Sequence, residues 1–262
     1  MSSISSSLSF LSPLRISRPC LSLQPARSCY AFNSHGNITL SIHAQSSNLQ
    51  SCSGAIASSK DGTVSMINFE DVMEKDWSFL EYPDSSEEHK QKIDEIISAG
   101  EITEPSKVLI AIGSDEFVDR VVESSNCRQL LVVHDSLFML ACIKEKYDKV
   151  KCWQGEVIYV PEMWTPFDVV FLYFLPALPF ELTQILEALK KRCLPGARVV
   201  ISHPQGRQVV EEQRKQYPDV VVSNLPENMM LQNVAADHSF EVVKFVDQPR
   251  FYLAILKFQE ES

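Results

Sequence analysis

Five residues suited to ligand binding or proton transfer stand at or just past the ends of predicted strands. They are Gly113, Asp135, Glu156, Tyr173 and His203. In open α/β sheets, ligands bind beyond the carboxyl ends of the parallel strands, so residues at these positions share one edge of the sheet. The sequence therefore predicts a crevice at this edge that carries two carboxylates, a phenol and an imidazole.

Asp135 has the most specific chemistry of the five. A carboxylate after the second strand suits two vicinal ribose hydroxyls, because its two oxygens can accept both donors. Plainer interpretations stay open. Asp135 is alternatively an acid of a helix N-cap region, and Glu156 is alternatively a solvent-facing acid of a turn. His203 is either a general base or a hydrogen-bonded structural histidine.

Apolar runs that would position these residues alternate with helical segments. Strands are predicted at residues 108–112, 130–133, 150–153, 167–174 and 199–201, and helices at residues 117–122, 137–147, 180–191 and 206–216. Runs that are apolar on both faces indicate a parallel sheet covered on both sides. Right-handed crossovers make this a doubly wound, Rossmann-like α/β fold. Residues 240–246 and 251–258 are predicted to close it as a hairpin, with only the last strand reversed.

An acidic lead-in, residues 61–106, precedes this main domain, residues 107–262. Its first part has apolar residues at helical spacing, namely Phe69, Val72, Met73, Trp77 and Leu80. A second helix is predicted over residues 87–98, capped by Ser86 and ended by Gly100. The two helices are expected to pack on the main domain, and a partner-binding arm is the alternative.

Four short motifs follow one another along the predicted sheet. They are residues 131–146, in which Asp135 follows a strand and precedes a helix, then Gln154-Gly155-Glu156, then Phe167-Asp168-Val169-Val170, and then residues 194–201, which include Leu194-Pro195-Gly196. In this order they resemble the second strand and helix, the following turn, the fourth strand and the entry to the fifth strand of class I S-adenosylmethionine-dependent methyltransferases. The resemblance covers about residues 107–258, including the reversed last strand.

The resemblance implies a cofactor, S-adenosylmethionine, and the residues that would bind it. Asp135 would hold the ribose hydroxyls, and Glu156 or its neighbour Val157 would meet the adenine. Gly113 and Ser136 would also belong to this cofactor site. The expected protein is a methyltransferase that acts on a small molecule or on a protein.

The first loop departs from the pattern of the family. Where the family has an acidic residue and three glycines, residues 111–117 keep only Gly113. Asp115 and Glu116 add negative charge, which repels the carboxylate of the cofactor. This departure keeps a second function open, a catalytically inactive methyltransferase-fold scaffold that serves as an assembly or regulatory factor.

Candidate substrate contacts follow the fourth and fifth strands. Methyl transfer depends mainly on in-line positioning, so no catalytic residue is assigned. The Asn/Asp-Pro-Pro-Tyr type of loop used for amino-group methylation is absent, and Tyr173-Phe174-Leu175-Pro176 stands in its place. Methylation of nucleic-acid bases is therefore not expected. Tyr173, His203 and Arg207 are the residues placed to contact a substrate.

The first 60 residues differ in composition from the rest of the chain. They contain 18 Ser and four basic residues, Arg15, Arg18, Arg27 and Lys60, but no Asp or Glu. This composition is typical of a transit peptide, with a disordered tail as the alternative. The uncharged, Ser-rich start favours the chloroplast over the mitochondrion. We expect a stromal protein cleaved between Ala44 and Lys60.

Charge and cysteine spacing exclude several function classes. All 34 acidic residues follow residue 60, where 20 of the 24 Lys and Arg remain, so the mature part carries a net charge of −14. Such a charge opposes general binding to nucleic acids. No apolar stretch reaches the roughly 18 residues of a membrane span, so no transmembrane segment is expected. Four cysteines lack the spacing of metal sites or disulfides and are predicted to be structural, namely Cys127, Cys142, Cys152 and Cys193.

Overall fold

A computed structural model describes residues 75–80 and 86–260 of the chain. The predicted transit peptide lies outside the described residues. So do Phe69, Val72 and Met73 of the first predicted helix.

A seven-stranded sheet forms the centre of the fold. Its strands are β1 (Lys107–Ala111), β2 (Gln129–His134), β3 (Lys151–Gln154), β4 (Phe167–Leu172), β5 (Cys193–His203), β6 (Phe240–Gln248) and β7 (Phe251–Phe258). The order across the sheet is β3-β2-β1-β4-β5-β7-β6. Strands β1 to β5 pair in parallel, and β7 pairs antiparallel with both β5 and β6. The predicted α/β fold with a reversed last strand is confirmed.

Within residues 86–260, six α-helices cover the two faces of the sheet. They are α1 (Glu87–Ala99), α2 (Asp115–Ser124), α3 (Leu137–Lys146), α4 (Leu182–Lys190), α5 (Gly206–Gln216) and α6 (Asn228–Asp237). Apolar residues of α1, α2 and α3 share one core cluster with one face of the sheet. Residues of α4, α5 and α6 share a second cluster with the other face. The result is the three-layer arrangement expected of strands that are apolar on both sides.

Helix α1 begins at the predicted residue and ends at Ala99, one residue beyond the predicted end. The Ser86 hydroxyl caps it by accepting a hydrogen bond from the backbone N–H of His89 at 3.3 Å. Gly100 follows its last residue, and packing accounts for the glycine, because a Cβ there would lie 2.6 Å from the ring of Phe171. Ile93 and Ile96 are fully buried against the sheet. Helix α1 therefore packs on the sheet.

Three elements differ most from the sequence prediction. Strand β5 begins at Cys193, six residues before its predicted start at Val199. No helix is predicted at α6, where only Leu231 and Ala235 are buried and the exposed Met229 and Met230 obscure their helical spacing. The end of the first predicted helix is not α-helical in the described residues, where Ser78–Leu80 forms one short 3-10 helix. The Asp76 carboxylate accepts a hydrogen bond from the backbone N–H of Ser78 and begins this turn.

None of the helices within residues 75–80 and 86–260 has both the length and the apolar character needed to cross a bilayer. This finding concerns the described residues alone.

Candidate functional site

The end of β2 forms the centre of the predicted crevice. His134 closes the strand, Asp135 follows, and Ser136 caps α3 by accepting a hydrogen bond from the N–H of Met139 at 3.1 Å. The Ser136 N–H donates to Nδ1 of His134 at 2.9 Å. Capping therefore belongs to Ser136, and the Asp135 side chain is available for other contacts. The side-chain amide of Gln154 at the end of β3 donates to the Asp135 carbonyl at 3.0 Å.

Asp135 forms an ion pair with a residue of the lead-in. Nζ of Lys75 lies 2.7 Å from Oδ2 of Asp135, and both side chains are partly exposed. A cation of the chain's own N-terminal segment thus engages the carboxylate that the sequence assigns to a ribose.

Glu156 lies beside this pair, at the turn after β3. Burial, reinforced by the nearby Asp135 carboxylate, raises the pKa of Glu156 above its usual range, and Lys75 opposes this shift. Its neighbour Val157 is buried and begins a short 3-10 helix. The two carboxylates predicted for the crevice are therefore close enough to interact, and Lys75 acts on both of them.

Trp77, two residues after Lys75, packs at the end of β2. Its ring lies edge-on to the ring of His134, with centroids 4.6 Å apart. Only 7% of Trp77 is exposed, and it shares a core cluster with Ile112 and Val157. Among the described residues, the indole N–H of Trp77 and Nε2 of His134 have no hydrogen-bond partner. Burial lowers the pKa of His134 to about 4, so its ring is neutral at physiological pH.

The residues that follow Trp77 lie near the end of β4. The ring of Phe79 lies 5.3 Å from that of Phe174, which follows β4, and 4.9 Å from that of Tyr217 at the end of α5. Leu80 is buried in the same core cluster. Residues 75–80 therefore cross the carboxyl edge of the sheet from the end of β2 to the end of β4. We call residues 75–80 the crossing segment.

Gly113 and its neighbours form a compact turn between β1 and α2. A Cβ at Gly113 would lie 2.6 Å from Cγ2 of Ile110, so close packing within the chain requires the glycine. Ile112 has a φ of 53°, in the left-handed region that costs a β-branched residue about 1–3 kcal/mol. Ser114 caps α2 by accepting from the N–H of Phe117. Lys146 forms ion pairs with Asp115 and with Asp119 of α2, so the charge of Asp115 is paired within the chain.

Tyr173 and His203 are fully buried behind this edge. The Tyr173 ring stacks on that of Phe117 at 4.2 Å. His203 lies beside Gln213 and the backbone of Gly206, and burial lowers its pKa to about 3. A neutral, enclosed ring is unsuited to a general base, which has to reach its substrate. The role of His203 is therefore structural, although neither ring nitrogen has a hydrogen-bond partner among the described residues.

Arg207 lies on the other side of β5, near the surface. Its guanidinium donates to the carboxylate of Asp247 at 2.7 Å and to the carbonyl of Pro226 at 3.2 Å, and it also bonds the carbonyl of Leu225. The guanidinium carbon lies 5.8 Å from the ring centre of Tyr252. Arg207 therefore connects the segment before α6 with β6 through hydrogen bonds. Most of its N–H groups already donate to residues of the chain.

Sequence patterns missed three residues of the crevice, Lys75, Trp77 and His134. Trp77 stood in the predicted apolar stripe, and nothing in the spacing connected it or Lys75 with the end of β2. His134 was recognised only as the end of a strand. Its burial between Trp77 and the start of α3 is a tertiary property.

Metal and thiol chemistry find no support in the described part of the chain. No group of three or more His, Cys, Asp or Glu is arranged there to hold a metal ion. The four cysteines that it includes are free. Burial raises the pKa of Cys152 to about 11 and that of Cys193 to about 12, so both thiols stay protonated.

Comparisons with known proteins connect this architecture with methyltransferases of known structure. One match is a chain of the complex between the Haloferax volcanii Trm112 methyltransferase activator and a methyltransferase, with 10% identity, a TM-score of 0.55, and coverage of 66% of this chain and 91% of the other. A second match is YcgJ from Bacillus subtilis, with 10% identity, a TM-score of 0.53, and coverage of 66% of this chain and 100% of YcgJ. The chain has the class I methyltransferase fold.

A third match is a protein solved with a bound ligand. It is the N-methyltransferase NodS from Bradyrhizobium japonicum, solved with S-adenosylhomocysteine, with 12% identity, a TM-score of 0.51, and coverage of 68% of this chain and 90% of NodS. No protein-family model matches the sequence, and no curated protein matches it. At these identities the comparisons show the fold alone.

The residues of this crevice, as arranged, do not fit a nucleoside cofactor. Lys75 engages the Asp135 carboxylate, and Trp77 packs against His134 and the turn after β1. Gly113 and Ser136 are used for packing and capping within the chain. The groups that the sequence assigns to the ribose and to the first loop are therefore already engaged by other residues of the same chain.

Proposed function

We propose that this protein is a chloroplast methyltransferase-fold protein whose own crossing segment takes the place of the cofactor. In this proposal it acts without catalysis, as an assembly or regulatory factor. One observation carries the proposal: Lys75 and Trp77 occupy the end of β2, with Lys75 Nζ 2.7 Å from the Asp135 carboxylate and Trp77 buried on His134. The chloroplast location rests on the acid-free, Ser-rich N-terminus.

The free energies of these contacts favour occupation of the crevice by the crossing segment of the same chain. A partly exposed ion pair contributes only about 0–1 kcal/mol, but burial of a tryptophan contributes several times as much. An intramolecular segment also competes at a high effective concentration, of millimolar order for short flexible connections. A cofactor would have to displace Trp77 and Lys75 together, and this lowers its apparent affinity.

Calorimetric titration with S-adenosylmethionine and S-adenosylhomocysteine tests the proposal. We expect no binding by the wild-type chain. We also expect none by the variant Lys75→Ala/Trp77→Ala, whose crevice is cleared, because residues 111–117 keep only one glycine of the loop that approaches the cofactor. Circular dichroism has to show that the variant is folded. Binding by the wild-type chain with a Kd in the range of about 1–100 µM would refute the non-catalytic proposal.

A second candidate function is a methyltransferase that acts on a small molecule or a protein, with the crossing segment as a lid. This function is favoured by the two interacting carboxylates, Asp135 and Glu156, which stand where the resemblance places the ribose and adenine contacts. In this case the Lys75→Ala/Trp77→Ala variant binds the cofactor more tightly than the wild-type chain, because the lid no longer competes. Binding by the variant alone would therefore replace the first candidate with the second.

A further inference from the structure

A groove separate from the contacts of the crossing segment lies at the other side of the same sheet edge. It has a volume of about 830 Å³ and is formed by the loop after β4, the first turns of α4 and α5, and the segment that precedes α6. We propose that this groove binds a basic segment of a partner protein that presents large apolar side chains. The proposal deepens the proposed assembly or regulatory function, since it states the chemistry of the partner.

The floor and the lip of the groove are apolar. Leu178 and Leu225 lie buried at its base, whereas Val222 and Met230 on its lip are 43% and 47% exposed. Met229, next in sequence to the lip, is 76% exposed. Flexible methionines at the border of an apolar groove are typical of surfaces that accept apolar side chains of a partner.

The charge of the groove is negative. Glu181, Glu211 and Glu227 are among its lining residues. Glu181 takes part in the capping box of α4, but Glu211 and Glu227 have no cationic partner within residues 75–80 and 86–260. Arg207 also lines the groove, and its charge is compensated by Asp247. This electrostatic surface complements a basic segment and opposes a second copy of this acidic chain.

Backbone bonds hold the groove in shape. The carbonyl of Pro176, in the loop after β4, accepts from the N–H groups of Val222 and Ser223 at 2.9 and 3.1 Å. The carbonyl of Pro226 accepts from the Tyr252 hydroxyl at 2.9 Å and from Arg207. The groove is therefore preformed, and a partner does not need to order it, which favours affinity.

Fluorescence anisotropy with defined peptides tests the proposal on the full chain. The probe is a labelled synthetic peptide of Leu and Lys, about four helical turns long, with Leu on one face. Reference peptides carry Glu in place of Lys or Ser in place of Leu. We expect the Leu/Lys peptide to bind with a Kd of roughly 1–100 µM and each reference peptide to bind at least about tenfold more weakly.

Variants assign the binding to the groove. Glu211→Lys/Glu227→Lys and Met230→Ser change exposed side chains and are each expected to weaken binding at least about fivefold. Met163→Ser and Glu145→Lys alter an exposed methionine and an exposed acid outside the groove, and they are expected to leave binding unchanged. Absence of binding by the Leu/Lys peptide, or equal losses in the control variants, would overturn the proposal.

A small amine is the competing ligand chemistry. Octylamine combines an apolar chain with one cation, and we expect it not to displace the peptide at equal concentration. Displacement by octylamine would reject a protein segment as the ligand. The peptide titrations test the groove, and the cofactor titrations test the crevice. A peptide that does not bind therefore refutes the partner site alone, whereas cofactor binding by the wild-type chain refutes the non-catalytic function.

Discussion

Nζ of Lys75 lies 2.7 Å from Oδ2 of Asp135, so the N-terminal segment of the chain neutralises the carboxylate at the end of β2. Beside this contact, Trp77 covers His134. The crevice where this fold binds ligands is thus joined to residues that precede the domain. The strength of this connection can be measured.

A double-mutant cycle measures the contact between the crossing segment and the crevice. Lys75→Met and Asp135→Asn keep the side-chain size and remove one charge each. We expect a coupling free energy of about 0.2–1 kcal/mol that decreases at high salt, because both side chains are partly exposed. Urea unfolding of the wild type, both single variants and the double variant gives this quantity. A coupling of zero at low salt would show that the Lys75–Asp135 pair does not stabilise the folded chain.

The buried histidines predict a loss of stability in mild acid. Burial lowers the pKa of His134 from 6.5 to about 4, so between these values the unfolded chain binds more protons than the folded one. The contribution of the neutral ring is complete above pH 6.5 and is lost as the pH falls towards 4. His203, with a pKa lowered to about 3, acts in the same direction.

His134→Asn isolates this effect, because the Asn side-chain oxygen can accept the Ser136 N–H in place of Nδ1. From about pH 7.5 to about pH 5, the wild type should lose about 2 kcal/mol more unfolding free energy than the variant. Urea titrations at the two pH values measure the difference, and His238→Asn, at the end of α6, is the control. A variant with the same pH dependence as the wild type would contradict the assignment to His134.

Two glycines with positive φ predict very different costs of substitution. A Cβ at Gly206 would lie 2.7–2.9 Å from the backbone atoms of Phe251, Gln248 and Pro249, whereas at Gly196 the nearest atom is 4.0 Å away. Gly196→Ala should therefore cost only the conformational penalty of about 1–2 kcal/mol. Gly206→Ala adds overpacking and should cost about 3–5 kcal/mol in total. Equal denaturant midpoints for the two variants would show that the β6–β7 turn does not approach α5 this closely.

The N-terminal composition predicts the destination of the protein. Residues 1–60 contain no acid and 18 Ser, and fused to a fluorescent protein they should direct it to chloroplasts. The control is the same fusion with two arginines of the segment, Arg15 and Arg18, replaced by Glu, which should reduce import. Cytosolic or secretory fluorescence of the unchanged fusion would contradict the prediction.

The sequence by itself determined the sheet, because buried parallel strands need apolar residues on both faces and leave continuous runs. Helices α1 and α5 were predicted within one residue, because Ser86 and Gly206 stand at their ends. Helix α6 was missed because its exposed methionines remove the periodic signal by which a half-buried helix is recognised.

Only the tertiary structure decided how the predicted crevice is filled. The positions of Asp135 and Glu156 follow from the strand ends, but the contact of Lys75 with Asp135 joins residues that are distant in sequence. Likewise, His203 stands at a strand end in the sequence, and its complete burial depends on α5 and on the rings packed beside it. Periodicity records which face of an element is apolar, whereas burial and ion pairing depend on which other element covers that face.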